Sequence, residues 1–265
     1  MALSTAVQHL KAGTLNIEIH PDRESASEAA ARDAAQTLSH LAQSADEIGV
    51  IFATGFSQIS TLEALTSIPD LPWNKVLGFH LDEYIGMPAS HPASFRLYLR
   101  QHLLSKVNMK DFFEIDGTVS NIEQICQQYA AKLRQVSPQL CLLGIGENGH
   151  LAFNDPEEAN FNDPLDVKTV HLDTVCRQQQ AAEGWFNSLE DVPEIAITVT
   201  MPAIFRVPQL ILSVLGSRKA AIVQRIVEES ISTHCPATIL RQHPNATLYL
   251  DRDSAANLLA SIKTI

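Results

Sequence analysis

The order of apolar runs, glycine-bearing turns and amphipathic stretches predicts an α/β fold: one three-layer, Rossmann-like domain over residues 1–265, built on a doubly wound, mostly parallel sheet. Three observations carry this. Strand-like segments alternate with helix-period segments along the whole chain. Several strands, above all 140–145, are apolar without alternation, as strands buried on both faces of a parallel sheet are. No linker, repeat or low-complexity tract divides the 265 residues, and 45% hydrophobic content is that of a globular chain able to bury a core.

Thr14 to His20 alternates, with Leu15, Ile17 and Ile19 apolar, and predicts a first strand. Asp22 or Ser25 then caps an alanine-rich helix to about Gln43, with Ser25-x-x-Glu28 as a capping box. Ile48 to Ala53 predicts a short buried strand running into Thr54-Gly55-Phe56-Ser57-Gln58-Ile59-Ser60 and a helix bearing Leu62, Leu65 and Ile68. Strand, glycine and hydroxyls, then helix is how backbone amides and hydroxyl donors are aimed at a phosphate, although a simple N-cap by Thr54 or Ser57 fits the same letters. Lys75 to His80 predicts a third strand, ending in Leu81-Asp82-Glu83-Tyr84. Neighbouring side chains on extended backbone point opposite ways, so one carboxylate faces the cleft and the other solvent or a structural partner. Asp82 is the candidate for the cleft.

Pro92 starts a helix with Phe95, Tyr98, Leu99 and Leu103 on one face, and Ser120-x-x-Glu123 opens another with Ile122, Ile125, Tyr129 and Leu133. From 156 to 189 the periodicity weakens, through an acidic stretch, a short strand at Val167 to Leu172 and a helix start at Cys176-Arg177-Gln178; the segment reads first as ordinary loop and second as a candidate lid. Glu194 to Thr200 and Gln209 to Leu215 predict two more strands. The second meets Gly216-Ser217-Arg218-Lys219-Ala220, repeating the anion-site arrangement with two cations added. A lysine at a helix start opposes the dipole, and a bound anion accounts for it. A strand at Leu248 to Leu250 and a helix from Asp253 close the chain.

The most informative stretch runs from Leu140 to Pro156: an apolar strand, then Gly144-Ile145-Gly146-Glu147-Asn148-Gly149-His150, then Leu151-Ala152-Phe153-Asn154-Asp155-Pro156. Gly144-x-Gly146-x-x-Gly149 has the letters of a dinucleotide fingerprint, but that site needs a helix next, and Pro156 forbids one of useful length. His150 and Asp155 are instead an imidazole and carboxylate delivered by a glycine turn. Asn148 stands two residues before His150, within reach of its ring. No cofactor is expected.

A net charge of −11 disfavours nucleic acid and anionic membranes, both of which reward clustered cations. No apolar run approaches the roughly 20 residues of a membrane span, and Met1-Ala2-Leu3-Ser4 lacks the regions of a signal peptide, so a cytoplasmic location is expected. The four cysteines are scattered, and the histidines and cysteines show no metal-ligand spacing, so no metal is expected.

Leu81-Asp82-Glu83-Tyr84 together with Gly144 to Pro156 resembles the glucosamine-6-phosphate deaminase (isomerase) family, within the wider group that includes 6-phosphogluconolactonase. The likeness extends more loosely from the Thr54 loop through Leu215 to Ala220 and on to Tyr249-Leu250-Asp251. It implies a phosphosugar substrate, with Asp82 shuttling a proton between C2 and C1 of the open sugar, His150 assisting ring opening, Asp155 supporting His150, and Lys219 holding the 6-phosphate. Thr54, Gly55, Ser57, Gln58 and Gly149 would complete the binding loops. The family's phosphate-binding arginine has no clean counterpart, and Arg177 is the best candidate. Phe56 stands where many relatives have a second glycine, and Asn148 where several have aspartate. Thr198-Val199-Thr200-Met201-Pro202 and Cys235-Pro236-Ala237 are closer to the lactonase branch. Tyr84 and Asn154-Asp155-Pro156 decide for the deaminase branch, so a deaminase acting on glucosamine 6-phosphate is the leading expectation. A 6-phosphosugar lactonase and a sugar-phosphate sensor without turnover are the alternatives, and a homo-oligomer remains open.

Overall fold

The computed structural model describes residues 7–262, so Met1 to Ser4 lies outside the described residues. Its strands are β1 (Gln8–Ala12), β2 (Leu15–His20), β3 (Ile48–Phe52), β4 (Val76–His80), β5 (Asp82–Tyr84), β6 (Asp111–Phe113), β7 (Leu140–Leu143), β8 (Val167–His171), β9 (Ile195–Val199), β10 (Gln209–Val214) and β11 (Ala246–Asp251). Its helices are α1 (Arg23–Leu41), α2 (Phe56–Ser67), α3 (Phe95–Leu99), α4 (Ile122–Val136), α5 (Thr174–Ala182), α6 (Met201–Phe205), α7 (Ala220–Glu228) and α8 (Ala256–Ile262).

Eight strands form one sheet in the order β1-β2-β11-β10-β7-β3-β4-β6, parallel throughout except that β1 pairs antiparallel with β2. From β3 the chain steps outward to β4 and β6, then returns to β7 and steps the other way to β10 and β11. The order therefore reverses between β3 and β7. In open α/β sheets the loops leaving two such strands part and leave a crevice at their C-terminal ends.

Side-chain alternation along these strands builds the three layers. Val50, Phe52, Leu142 and Ile211 pack with α1, α2 and α3 on one face. Ile51, Cys141, Leu143 and Leu212 pack with α4, α7 and α8 on the other. The near-continuous burial of β3, β4 and β7 is why those strands read as unbroken apolar runs.

Several local expectations are corrected. β5, β8 and β9 leave the main sheet and form a separate antiparallel one, in the order β5-β9-β8, because strand alternation does not encode which sheet a strand joins. β1 and the three-residue β6 were not expected, one being a polar edge and the other too short to show a period. The α1 capping box is made by Asp22 and Ser25, not Ser25 and Glu28, with the Ser25 amide donating to Asp22 Oδ1 at 2.8 Å. Asn121, not Ser120, caps α4, and Asp173 caps α5.

Candidate active site

Two loops of the same shape flank β7. Gly55 precedes α2 with φ 99° and ψ 167°, and Gly216 precedes the turn into α7 with φ 92° and ψ 157°, a left-handed conformation that side chains disfavour. Neither helix start carries a side-chain N-cap, so first-turn amides are left to a ligand or solvent. Asp251, at the end of β11, accepts from the Gly216 amide through both carboxylate oxygens at 3.0 Å and fixes that loop. Thr54, Gly55 and Ser57 from the first loop and Gly216, Arg218 and Lys219 from the second line one cavity of ≈ 400 Å³. Lys219 is buried, not a flexible surface cation. Its Nζ donates to Ile145 O at 2.7 Å, and burial lowers its pKa against the attraction of Glu183 and Glu147.

β5 separates the adjacent carboxylates as extended backbone requires. Asp82 lines the cavity and its carboxylate has no hydrogen-bond partner among the described residues. Burial, and then the nearby Glu83 charge, raise its pKa well above the ordinary 3.8. Glu83 is fully buried on the opposite side. It accepts from Ser94 Oγ at 2.8 Å and from the amides of Tyr84, Phe95 and Arg96, holding the start of α3. Of the two readings for the second carboxylate, solvent or a structural partner, Glu83 takes the structural one. Tyr84 is also fully buried, among Phe95, Phe153 and Phe186.

The glycine turn carries the third group. No helix follows it; Leu151 to Asn154 closes a tight turn in which Ala152 takes φ 52°. His150 Nδ1 lies 2.8 Å from Asp155 Oδ1, and its ring faces the cavity. The imidazole lies directly over Gly146, where a Cβ would come within 2.2–2.4 Å of three ring atoms. Asp155 is fully buried; burial raises its pKa, but contacts from His150, Asn148 and the Asp173 amide outweigh this and bring it below 3.8. Asn148 is the buttress. Its Nδ2 donates to Asp155 Oδ1 and Asp173 Oδ2, both at 2.8 Å, while its Oδ1 accepts from the His150 amide at 3.0 Å. The expected contact with the imidazole is corrected: Asn148 acts on the carboxylate behind the ring. With two carboxylates on one side of the amide, only this O/N orientation is satisfied.

Other expected residues sit elsewhere. Gln58 lies beneath the cavity and ties β7 to β10, donating to Leu143 O and Ser213 O at 3.1 Å. Gly149, with φ 95°, packs on Cys235 and its carbonyl accepts from the Ala237 amide, so it shapes the turn without facing the cavity. Arg177 is a correction: its guanidinium donates to the carbonyls of Leu189 and Val192 and pairs with Glu194, bracing the 189–194 loop. Residues passed over from sequence do line the cavity, notably Arg23, Gln180 and Glu183. Arg23 begins α1, far in sequence from every motif; the signal available was a cation at a helix start, the one used for Lys219. His150, Asp155 and Cys176 also bring one ligand atom each within 4.8 Å of one another, a grouping linear spacing hid. The Asp155 oxygens are already engaged, and burial holds the Cys176 thiol pKa well above 9.0, which disfavours the thiolate a metal needs.

A family model described as glucosamine-6-phosphate isomerases/6-phosphogluconolactonase matches residues 21–249. The chain belongs to this family. Among family relatives, the glucosamine-6-phosphate deaminase of Exiguobacterium sibiricum is 35% identical over 68% of this chain and 69% of its own. That of Halothermothrix orenii is 34% identical over 78% of this chain and 86% of its own. Among solved structures, one described as a monomeric glucosamine-6-phosphate deaminase superposes with TM-score 0.83 at 26% identity, covering 91% of this chain and 99% of that one. A 6-phosphogluconolactonase from Thermotoga maritima gives TM-score 0.73 at 20% identity, covering 89% and 98%, a likeness of family fold.

Proposed function

We propose that the chain converts glucosamine 6-phosphate and water to fructose 6-phosphate and ammonia. The observation that carries this is Asp82: a buried carboxylate without a hydrogen-bond partner among the described residues, with raised proton affinity, in the same cavity as a carboxylate-backed histidine. Aldose-to-ketose conversion requires one base that takes the C2 proton and returns it to C1. A carboxylate kept from water and from hydrogen-bond donors is a stronger base than an ordinary one and remains free to swing between adjacent carbons. His150, held through Nδ1 by Asp155, leaves Nε2 to donate to the ring oxygen as the pyranose opens. After proton transfer the C2 nitrogen becomes the imine of fructose 6-phosphate, which water hydrolyses with loss of ammonia. Lys219 and the amides after Gly55 hold the phosphate.

The lactonase reading rests on two segments that supply no residue to the cavity lining, although Thr198 pairs across the strands with Asp82. Thr198 Oγ1 accepts from the Phe153 amide, Val199 O accepts from Asn154 Nδ2, and Cys235 packs behind Gly149. The sensor reading rested on Phe56 and Asn148, neither of which displaces Asp82 or His150. An enzyme of this activity would serve N-acetylglucosamine catabolism in the cytoplasm. Coupled assays for ammonia and fructose 6-phosphate, run beside hydrolysis of 6-phosphogluconolactone, test it: ammonia release is expected, and lactone hydrolysis alone would reverse the assignment.

A further inference from the structure

The anion end of the cavity holds three cations, and they are not equivalent. Lys219 gives one of its three ammonium donors to Ile145 O, and Arg218 Nη2 pairs with Glu147 Oε1 at 2.7 Å. Arg23 has no hydrogen bond or ion pair among the described residues. Its guanidinium carbon instead lies 5.4 Å from the centre of the Phe56 ring, a cation–π stack. Its Nη2 stands 3.1 Å from where a Cβ on Gly216 would be. Arg23 thus bridges the two glycine loops, resting on a side chain of one and against the backbone of the other. It also opens α1, where the helix dipole opposes a cation and an anion alongside would relieve that repulsion. Phe56, the side chain that breaks the paired-glycine pattern, is 56% exposed and has the guanidinium as its platform partner.

We propose that Arg23, stacked on Phe56, is a phosphate-binding residue of this chain, closing the outer side of the subsite whose inner side is Lys219. This rests on the phosphosugar reading of the cavity but not on the reaction assigned to it. A phosphate monoester lying between the Gly55 and Gly216 loops would then accept from the α2 amides, from Lys219 and from the guanidinium. The fork geometry and weak hydration of guanidinium suit it to a dianion at the rim.

The test uses sorbitol 6-phosphate, which lacks the carbonyl the reaction needs, and inorganic phosphate. Dissociation constants for both are measured by calorimetry on wild type, Arg23→Met, Arg23→Lys, Phe56→Leu and the double variant, with Arg32→Met as a surface control. Arg23→Met is expected to weaken both probes roughly ten- to a hundredfold, with partial rescue by lysine. Phe56→Leu is expected to weaken them about two- to fivefold, with little further effect once Arg23 is gone. Unchanged constants in a folded Arg23→Met protein would overturn the proposal, as would a wild type that binds neither probe. Arg23-dependent binding of sorbitol 6-phosphate by a protein that releases no ammonia would leave Arg23 assigned and remove only the reaction.

Discussion

Removing the Asp82 charge has two separable consequences. Asp82→Asn deletes the base, so kcat is expected to fall by about 10²–10⁴ while sorbitol 6-phosphate still binds. It also removes a disfavoured ionisation. Because the folded pKa of Asp82 lies above 3.8, its contribution to stability is present below 3.8 and is lost as pH rises through the folded value. Calorimetric Tm values should therefore be higher for Asp82→Asn than for wild type at pH 7, with the gap closing towards pH 3; a lower Tm at pH 7 would contradict the burial argument. For the same reason the acidic limb of kcat/KM should lie above the ordinary carboxylate range. Asn148→Asp would set a third carboxylate between Asp155 and Asp173, replacing two donated hydrogen bonds by repulsion. A loss of stability of roughly 1–3 kcal/mol at pH 7 is expected, easing as the pH is lowered. Denaturant titrations at pH 7 and pH 5 check both parts.

At the scale of elements, the glycine turn and β5 locate the chemistry, and they tolerate change differently. Gly146→Ala must displace the His150 ring, whereas Gly144→Ala meets only Gln58 Nε2 at 3.3 Å and Ser57 Oγ at 3.6 Å. The first should lower kcat by at least tenfold with sorbitol 6-phosphate affinity kept, since a ~1 Å misplacement of a reacting group is worth about 10² in rate. Gly144→Ala should stay near wild type, and steady-state kinetics on the pair decides. Glu83→Ala would strand Ser94, three amides and the guanidinium of Arg96, whose Nε lies 3.4 Å away, and is expected to cost about 3–5 kcal/mol. The apolar run at 140–145 and the turn after it were legible because burial on both faces and an intervening proline leave few alternatives. The separation of Asp82 from Glu83 followed from strand geometry. The partner of Glu83 did not, because Ser94 and Arg96 reach it only after a loop folds back.

For the whole molecule, what sequence did not reveal arises where distant segments meet. Arg23 joins the cavity because β2 pairs beside β11 and delivers the start of α1 to the Gly216 loop, an adjacency no local pattern encodes. Arg177 stays out of the cavity for the converse reason: the 189–194 loop folds onto its guanidinium, a contact no local pattern encodes. The three-layer core was legible because the apolar period fixes each helix face, while membership of β5, β8 and β9 in a second sheet depends on pairings formed late in the chain. Full activity after exhaustive chelation is expected, measured against buffer without chelator, since the His150, Asp155 and Cys176 grouping is filled by internal contacts. The most direct measurement follows glucosamine 6-phosphate by NMR in deuterated water with the purified protein. Ammonia and fructose 6-phosphate should appear in equal amounts, with part of the C2 hydrogen carried to C1 and absent from the product of Asp82→Asn. A substrate left unchanged, or ammonia released at the wild-type rate by Asp82→Asn, would contradict a proton shuttle at this carboxylate.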